Sequence, residues 1–100
     1  NQTTRGWWES APELTRAQLK SYCGSVGDPE QISWDLIKLA IASIAELAVI
    51  PLQDLLSLDD EARMNRPSVP DGNWSWRFHR AALTDEIGAR LATLNARYGR

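Results

Sequence analysis

Groups able to do chemistry crowd into one stretch of this chain, Leu47 to Arg77. There Gln53, Asp54, Asp59, Asp60, Glu61, Arg63, Asn65 and Arg66 follow one another in quick succession. Asp54 stands just beyond the apolar run Leu47-Ala48-Val49-Ile50 and Pro51. A buried strand that opens into a polar, proline-pinned loop is how α/β enzymes present side chains at the carboxyl end of a sheet. A carboxylate at such an exit serves either as a ligand contact or catalyst, or as an acceptor for loop amides. Asp59-Asp60-Glu61 reads as a charge run at a solvated helix start. His79, the sole histidine, lies between Arg77 and Arg80. It has no second histidine for a metal site, and no Ser-His-Asp set can be drawn from spacing. Cys23 is the one cysteine, which excludes an internal disulfide and a cysteine metal cluster. With no glycine-rich phosphate loop either, the expectation is a site without cofactor or metal.

The elements that must hold these groups are legible from pattern. Asn1 to Glu9 carries no period and reads as a loop, whose adjacent Trp7 and Trp8 must send their rings different ways. Ser10-Ala11-Pro12-Glu13 reads as a helix start, with Ser10 as cap, and predicts a helix over 11–23 ended by Gly24. After a turn at Gly27-Asp28-Pro29, Ser33 is expected to cap a second helix over 33–46. Trp34, Ile37, Ile41 and Ile44 fall on one face of it. Residues 47–52 are the expected buried strand, too short for a helix and β-branched. Residues 53–80 form a loop with short turns, and Trp74 to Phe78 alternates in a strand-like manner. A last helix over 84–98 is capped by Thr84, favoured by Asp85 and Glu86, and apolar along Ile87, Leu91, Leu94 and Tyr98.

Composition bounds the rest. One hundred residues with 43% hydrophobic and 24% charged side chains make one small domain or a piece of a larger one. A net charge of -2 gives no long-range pull toward nucleic acid or an anionic membrane. The apolar region from Leu36 to Leu58 is interrupted by Lys38, Glu46, Pro51 and Asp54, which suits a core helix and strand rather than a membrane span. Five tryptophans serve either as core anchors or as stacking platforms for a sugar or base, with anchoring favoured.

Three ordered motifs then carry a resemblance. Ala48-Val49-Ile50-Pro51-Leu52-Gln53-Asp54-Leu55-Leu56 is followed by Glu61-Ala62-Arg63-Met64-Asn65 and by Gly72-Asn73-Trp74-Ser75-Trp76-Arg77. Together they resemble the C-terminal region of the 4-α-glucanotransferases, the amylomaltases or disproportionating enzymes of the α-amylase clan. Asn1-Gln2-Thr3-Thr4-Arg5-Gly6-Trp7-Trp8 resembles the tail of that family's Thr-His-Asp-Asn motif, and Leu94 to Arg100 is similar to its terminus. One departure is Ser57, where the family often has glycine.

The resemblance implies a fold class of α/β: the C-terminal portion of a (β/α)8 TIM barrel, mostly helical here, with 47–52 as the last barrel strand. It implies transfer of α-1,4-glucan segments between maltooligosaccharides with retention, by a carboxylate nucleophile and a carboxylic acid/base. It places neither of these in the chain, and puts a third, sugar-binding aspartate immediately before Asn1. No catalytic residue is therefore expected here, and the segment alone is expected to be inactive. The glucan contacts it implies are Asn65, Asn1, Arg63, Gln53 and Asp54. Asn65 offers both a donor and an acceptor to sugar hydroxyls, and equally suits organising the loop before Arg66-Pro67. Trp74 and Trp76 are expected to pin the loop by packing. The partners implied are a maltooligosaccharide and the remainder of the barrel, with neither nucleic acid nor membrane. The location implied is the cytoplasm, or a plastid stroma in a plant or alga. Two other classes stay open: a free-standing helical interaction module, and single-strand nucleic-acid binding through Trp74 to Arg80.

Overall fold

A computed structural model of the protein describes residues 2–100. The helices are α1 (Thr4–Ser10), α2 (Glu13–Cys23), α3 (Ile32–Ala42), α4 (Leu52–Leu55) and α5 (Asp85–Arg97). Short 3-10 turns lie at Asp60–Ala62 and Arg80–Ala82. No strand occurs among the described residues.

The opening residues, expected to be a loop, form α1. Thr3 is extended and its Oγ1 accepts from the Gly6 amide at 3.1 Å, a side-chain cap that satisfies one free donor of the first turn. Seven residues are too few to display a helical period, so the cap is the signal that was there to be used. Trp8 is buried and Trp7 half-buried. Ser10 does not cap the next helix. Its hydroxyl donates back to the carbonyls of Gly6 and Trp7, at 3.2 and 3.1 Å. Pro12 disfavours helical backbone at Ala11, which is extended, and α2 therefore begins at Glu13. Gly24 ends α2 with φ +67°, a conformation glycine adopts without a Cβ penalty.

Helix α3 carries the core. Trp34, Ile37 and Ile41 are buried against Leu94 of α5, with Ile50, Leu55, Ile87, Leu91 and Tyr98 packed around them. Each of the buried side chains contributes about 1.5–3 kcal/mol by leaving water, and the partly buried ones less. Ser33 lies inside the first turn of α3, fully buried, and Gln31 holds the cap position. Helix α1 packs against α3 and against the 60–62 turn, while α4 packs against α3. Thr84 caps α5, its Oγ1 accepting from the Ile87 amide.

Helix α3 stops at Ala42, four residues before the expected end, and Ile44 is fully exposed rather than part of the apolar face. Ser43 donates to the Ala40 carbonyl at 2.7 Å. The Arg100 guanidinium then gathers the carbonyls of Ile41, Ser43, Ala45 and Glu46. Helix ends leave carbonyls of this kind without an intrahelical partner, and a planar cation with five donors can serve several at once.

The strand expected over 47–52 is not formed. Residues 44–51 are irregular, and Leu52 already belongs to α4. A strand exists only by pairing with a neighbour, and among the described residues none lies beside this one. Its alternation survives: Leu47 and Val49 are 77% and 78% exposed, whereas Ala48 and Ile50 are half-buried. Trp74 to Phe78 is likewise irregular, with the Trp76 and Phe78 rings stacked at 5.9 Å. Ser57 adopts φ +54°, left-handed backbone that explains why glycine suits this turn. No helix of the described residues is long and apolar enough to cross a membrane.

Candidate functional site

Pro51 opens α4, so the short helix starts without needing its amide, and it sets Gln53 and Asp54 beside the start of α1. Asp54 is 8% exposed. Its Oδ1 accepts from the Thr4 amide and its Oδ2 from the Thr4 hydroxyl, each at 2.8 Å. Of the two roles open to this carboxylate, the bonds seen are those of a structural acceptor, for one backbone amide and one hydroxyl. Charge-assisted bonds to a helix's free amides are among the stronger kind.

A second carboxylate lies alongside. Asp60 accepts from the Thr3 amide at 3.3 Å and the Gln2 amide side chain at 3.2 Å, and pairs with Arg63 at 3.9 Å. It lies so close to α1 that a Cβ at Gly6 would stand 2.2 Å from its Oδ1. A Cβ there would require the Asp60 carboxylate to shift. Asp59, in the same run, instead caps the 60–62 turn by accepting from the Glu61 amide. The acidic run is therefore divided by role. Arg5 reaches the Ser57 carbonyl at 3.3 Å and is held more firmly protonated than usual by its bond to Glu9.

Between these two walls runs an open cleft lined by Gln2, Thr3, Pro51, Gln53, Asp54, Arg63, Met64, Asn65 and Trp74. Its volume is about 230 Å3, several times the ~30 Å3 share of a water molecule, so a ring-sized polar group fits. Gln53 donates to the Ala62 carbonyl at 3.2 Å, which ties α4 to the loop. Arg63 is mostly covered, and its Nε is buried without a protein partner. Asn73 staples the outer loop: its Oδ1 accepts from the Arg66 amide and its Nδ2 donates to the Val69 carbonyl, both at 2.8 Å.

The structure brings Gln53, Asp54, Arg63 and Asn65 to one cleft. The contact expected of Asn1 lies outside the described residues. Pattern reasoning did not single out Gln2, Thr3 or Met64 for this wall. Trp74, expected to pin the loop by packing, is 66% exposed on the cleft, with φ +61° and its amide donating to the Met64 carbonyl. His79 is exposed and heads the 80–82 turn, and the Cys23 thiol donates to the Leu19 carbonyl.

Residues 1–84 match the family model described as 4-alpha-glucanotransferase. The chain is 42% identical over 100 residues to a 4-alpha-glucanotransferase of Synechocystis, covering all of this chain and 20% of that protein. It is 39% identical over 103 residues to the chloroplastic/amyloplastic 4-alpha-glucanotransferase of Solanum tuberosum, covering 18% of it. A solved amylomaltase from Streptococcus agalactiae in complex with acarbose superposes with a TM-score of 0.92 at 28% identity. That match covers all of this chain and 20% of the amylomaltase. The chain thus spans about one fifth of the length of the relatives it matches, and it belongs to the 4-alpha-glucanotransferase family.

Proposed function

We propose that this chain is the C-terminal part of an enzyme that transfers α-1,4-glucan segments between maltooligosaccharides, and that it supplies one wall of the glucan cleft. The observation that carries the reading is the convergence of Gln53, Arg63 and Asn65 with an exposed Trp74 on one cleft. Amide and guanidinium groups match the paired hydroxyls of a sugar, and an indole face suits its apolar side. Asp54 is the one acid among the described residues that line the cleft, and each of its oxygens is engaged by Thr4. That supports placing the nucleophile and the acid/base of a retaining mechanism in the other four fifths of the enzyme. The exposed, alternating segment at 47–50 supports its role as the last strand of a barrel, paired with neighbours from that remainder.

Maltotriose tests the reading. The full-length enzyme should convert two maltotrioses to glucose and maltopentaose, with the new linkage formed in the α configuration by proton NMR. The isolated 100-residue chain should release no glucose. Glucose release by the isolated chain, or hydrolysis without transfer by the full enzyme, would overturn it.

A further inference from the structure

Two carboxylates of the loop side and three residues of the α1 side meet at a seam that borders the cleft. Asp54 holds the amide and hydroxyl of Thr4, and Asp60 holds the amide of Thr3 and the side chain of Gln2. Gln2 and Thr3 line the cleft, and Thr4 does not. The Gly6 site leaves room for the Asp60 carboxylate and for no Cβ. Thr3 is in turn 4% exposed and caps α1, so a shift of residues 2–4 would move the helix with them. We infer that Asp54 and Asp60 are positioning residues: they clamp residues 2–4 and thereby set the wall that Gln2 and Thr3 present to the sugar. Asp54 acts on the substrate through Thr4, not by touching it. The inference rests on the glucan-cleft reading for its substrate and on geometry alone for the clamp.

The chemistry of the clamp separates the two roles a carboxylate can have. An asparagine at 54 keeps an oxygen for the Thr4 amide and offers an N–H to the Thr4 hydroxyl, which can accept as well as donate. The clamp survives that change, whereas a contact that needs negative charge at the sugar does not. Thr4→Val removes the hydroxyl from the far side of the seam and leaves every cleft-lining side chain in place, and Thr4→Ser restores it.

The test uses the full-length enzyme with maltotriose. Asp54→Ala and Thr4→Val should each raise KM roughly tenfold, the scale of one charge-assisted bond, with kcat within about twofold. The double variant should be no worse than the poorer single one, while Asp54→Asn and Thr4→Ser should return KM to near the parent value. Amide hydrogen exchange at Thr3 and Thr4 needs no substrate. It should be slow in the parent and in Asp54→Asn, and faster in Asp54→Ala. Should Asp54→Ala fail to fold, the Thr4 pair and Asp54→Asn still decide the matter. Asp54→Asn as damaging in KM as Asp54→Ala, or Thr4→Val with the parent's KM, would overturn the inference. A parent enzyme that does not disproportionate maltotriose while these exchange rates hold would instead refute the glucan reading and leave the clamp standing.

Discussion

The seam between α1 and the cleft loop and the open segment from Ser43 to Pro51 are built on opposite terms. At the seam, charged and polar groups are buried and partnered: Asp54 is 8% exposed and its oxygens meet Thr4 at 2.8 Å. In the open segment, Ile44, Leu47 and Val49 are exposed apolar side chains on a backbone without a ladder. The first region completes itself with residues of this chain. The second has the alternation of a strand and the surroundings of a loop, which is the condition of an element awaiting a neighbour. The radius of gyration agrees, at 14.5 Å against the ~13 Å of a compact domain of this length. The difference separates a region whose buried polar groups find partners within this chain from one whose apolar side chains do not.

The largest expected effect breaks that comparison directly. Val49→Asp should leave the isolated chain's melting temperature unchanged, because Val49 is 78% exposed there. In the full-length enzyme it should cost roughly 3–5 kcal/mol, as for an uncompensated buried charge, and abolish soluble folded protein. Equal tolerance in both would remove the idea that this segment is covered.

Gly6→Ala sharpens the other side. Its Cβ meets the Asp60 carboxylate, and the overpacking should cost about 1–3 kcal/mol in urea denaturation. With Asp60→Ser in place the clash is gone, and the better helix propensity of alanine should make the same change neutral or stabilising by up to about 1 kcal/mol. A cost that persists without Asp60 would show that Gly6 is required for another reason.

How far these regions could be read beforehand follows from their physics. The apolar faces of α3 and α5 and the Thr84 cap announce themselves by spacing, because their partners lie within one or two turns or on a facing helix. The polar run after the apolar one marked the stretch, the resemblance picked out Gln53, Asp54, Arg63 and Asn65 within it, and these four line one cleft. Helix α1 escaped because a seven-residue helix fixed by Thr3 and by distant acids has no period to show. The early stop of α3 escaped for a related reason: the residue that gathers its last carbonyls is Arg100, 54 or more positions away. The exposure of Trp74 could not be read beforehand because it depends on the loop path set by Arg66 and Asn73.

Two smaller effects complete the series. Arg100→Ala should cost about 1–2 kcal/mol by releasing the carbonyls that turn α3 into the open segment, less than a buried charged bond because the site is solvated. Arg100→Lys should recover little of it, since an ammonium cannot serve those carbonyls in one plane, and chemical denaturation of the three proteins compares them. Trp74→Ala should raise KM for maltotriose about threefold to tenfold at unchanged melting temperature, the scale of a lost stacking contact. A fall in melting temperature with unchanged KM would return Trp74 to a packing role.

Amide hydrogen exchange at Leu47, Ala48, Val49 and Ile50, measured in the isolated chain and in the full-length enzyme, tests most directly whether this segment is a strand completed by the rest of the enzyme. The account predicts rapid exchange at these amides in the isolated chain and strong protection, alternating with pairing, in the full-length enzyme. Equally rapid exchange in both would contradict it.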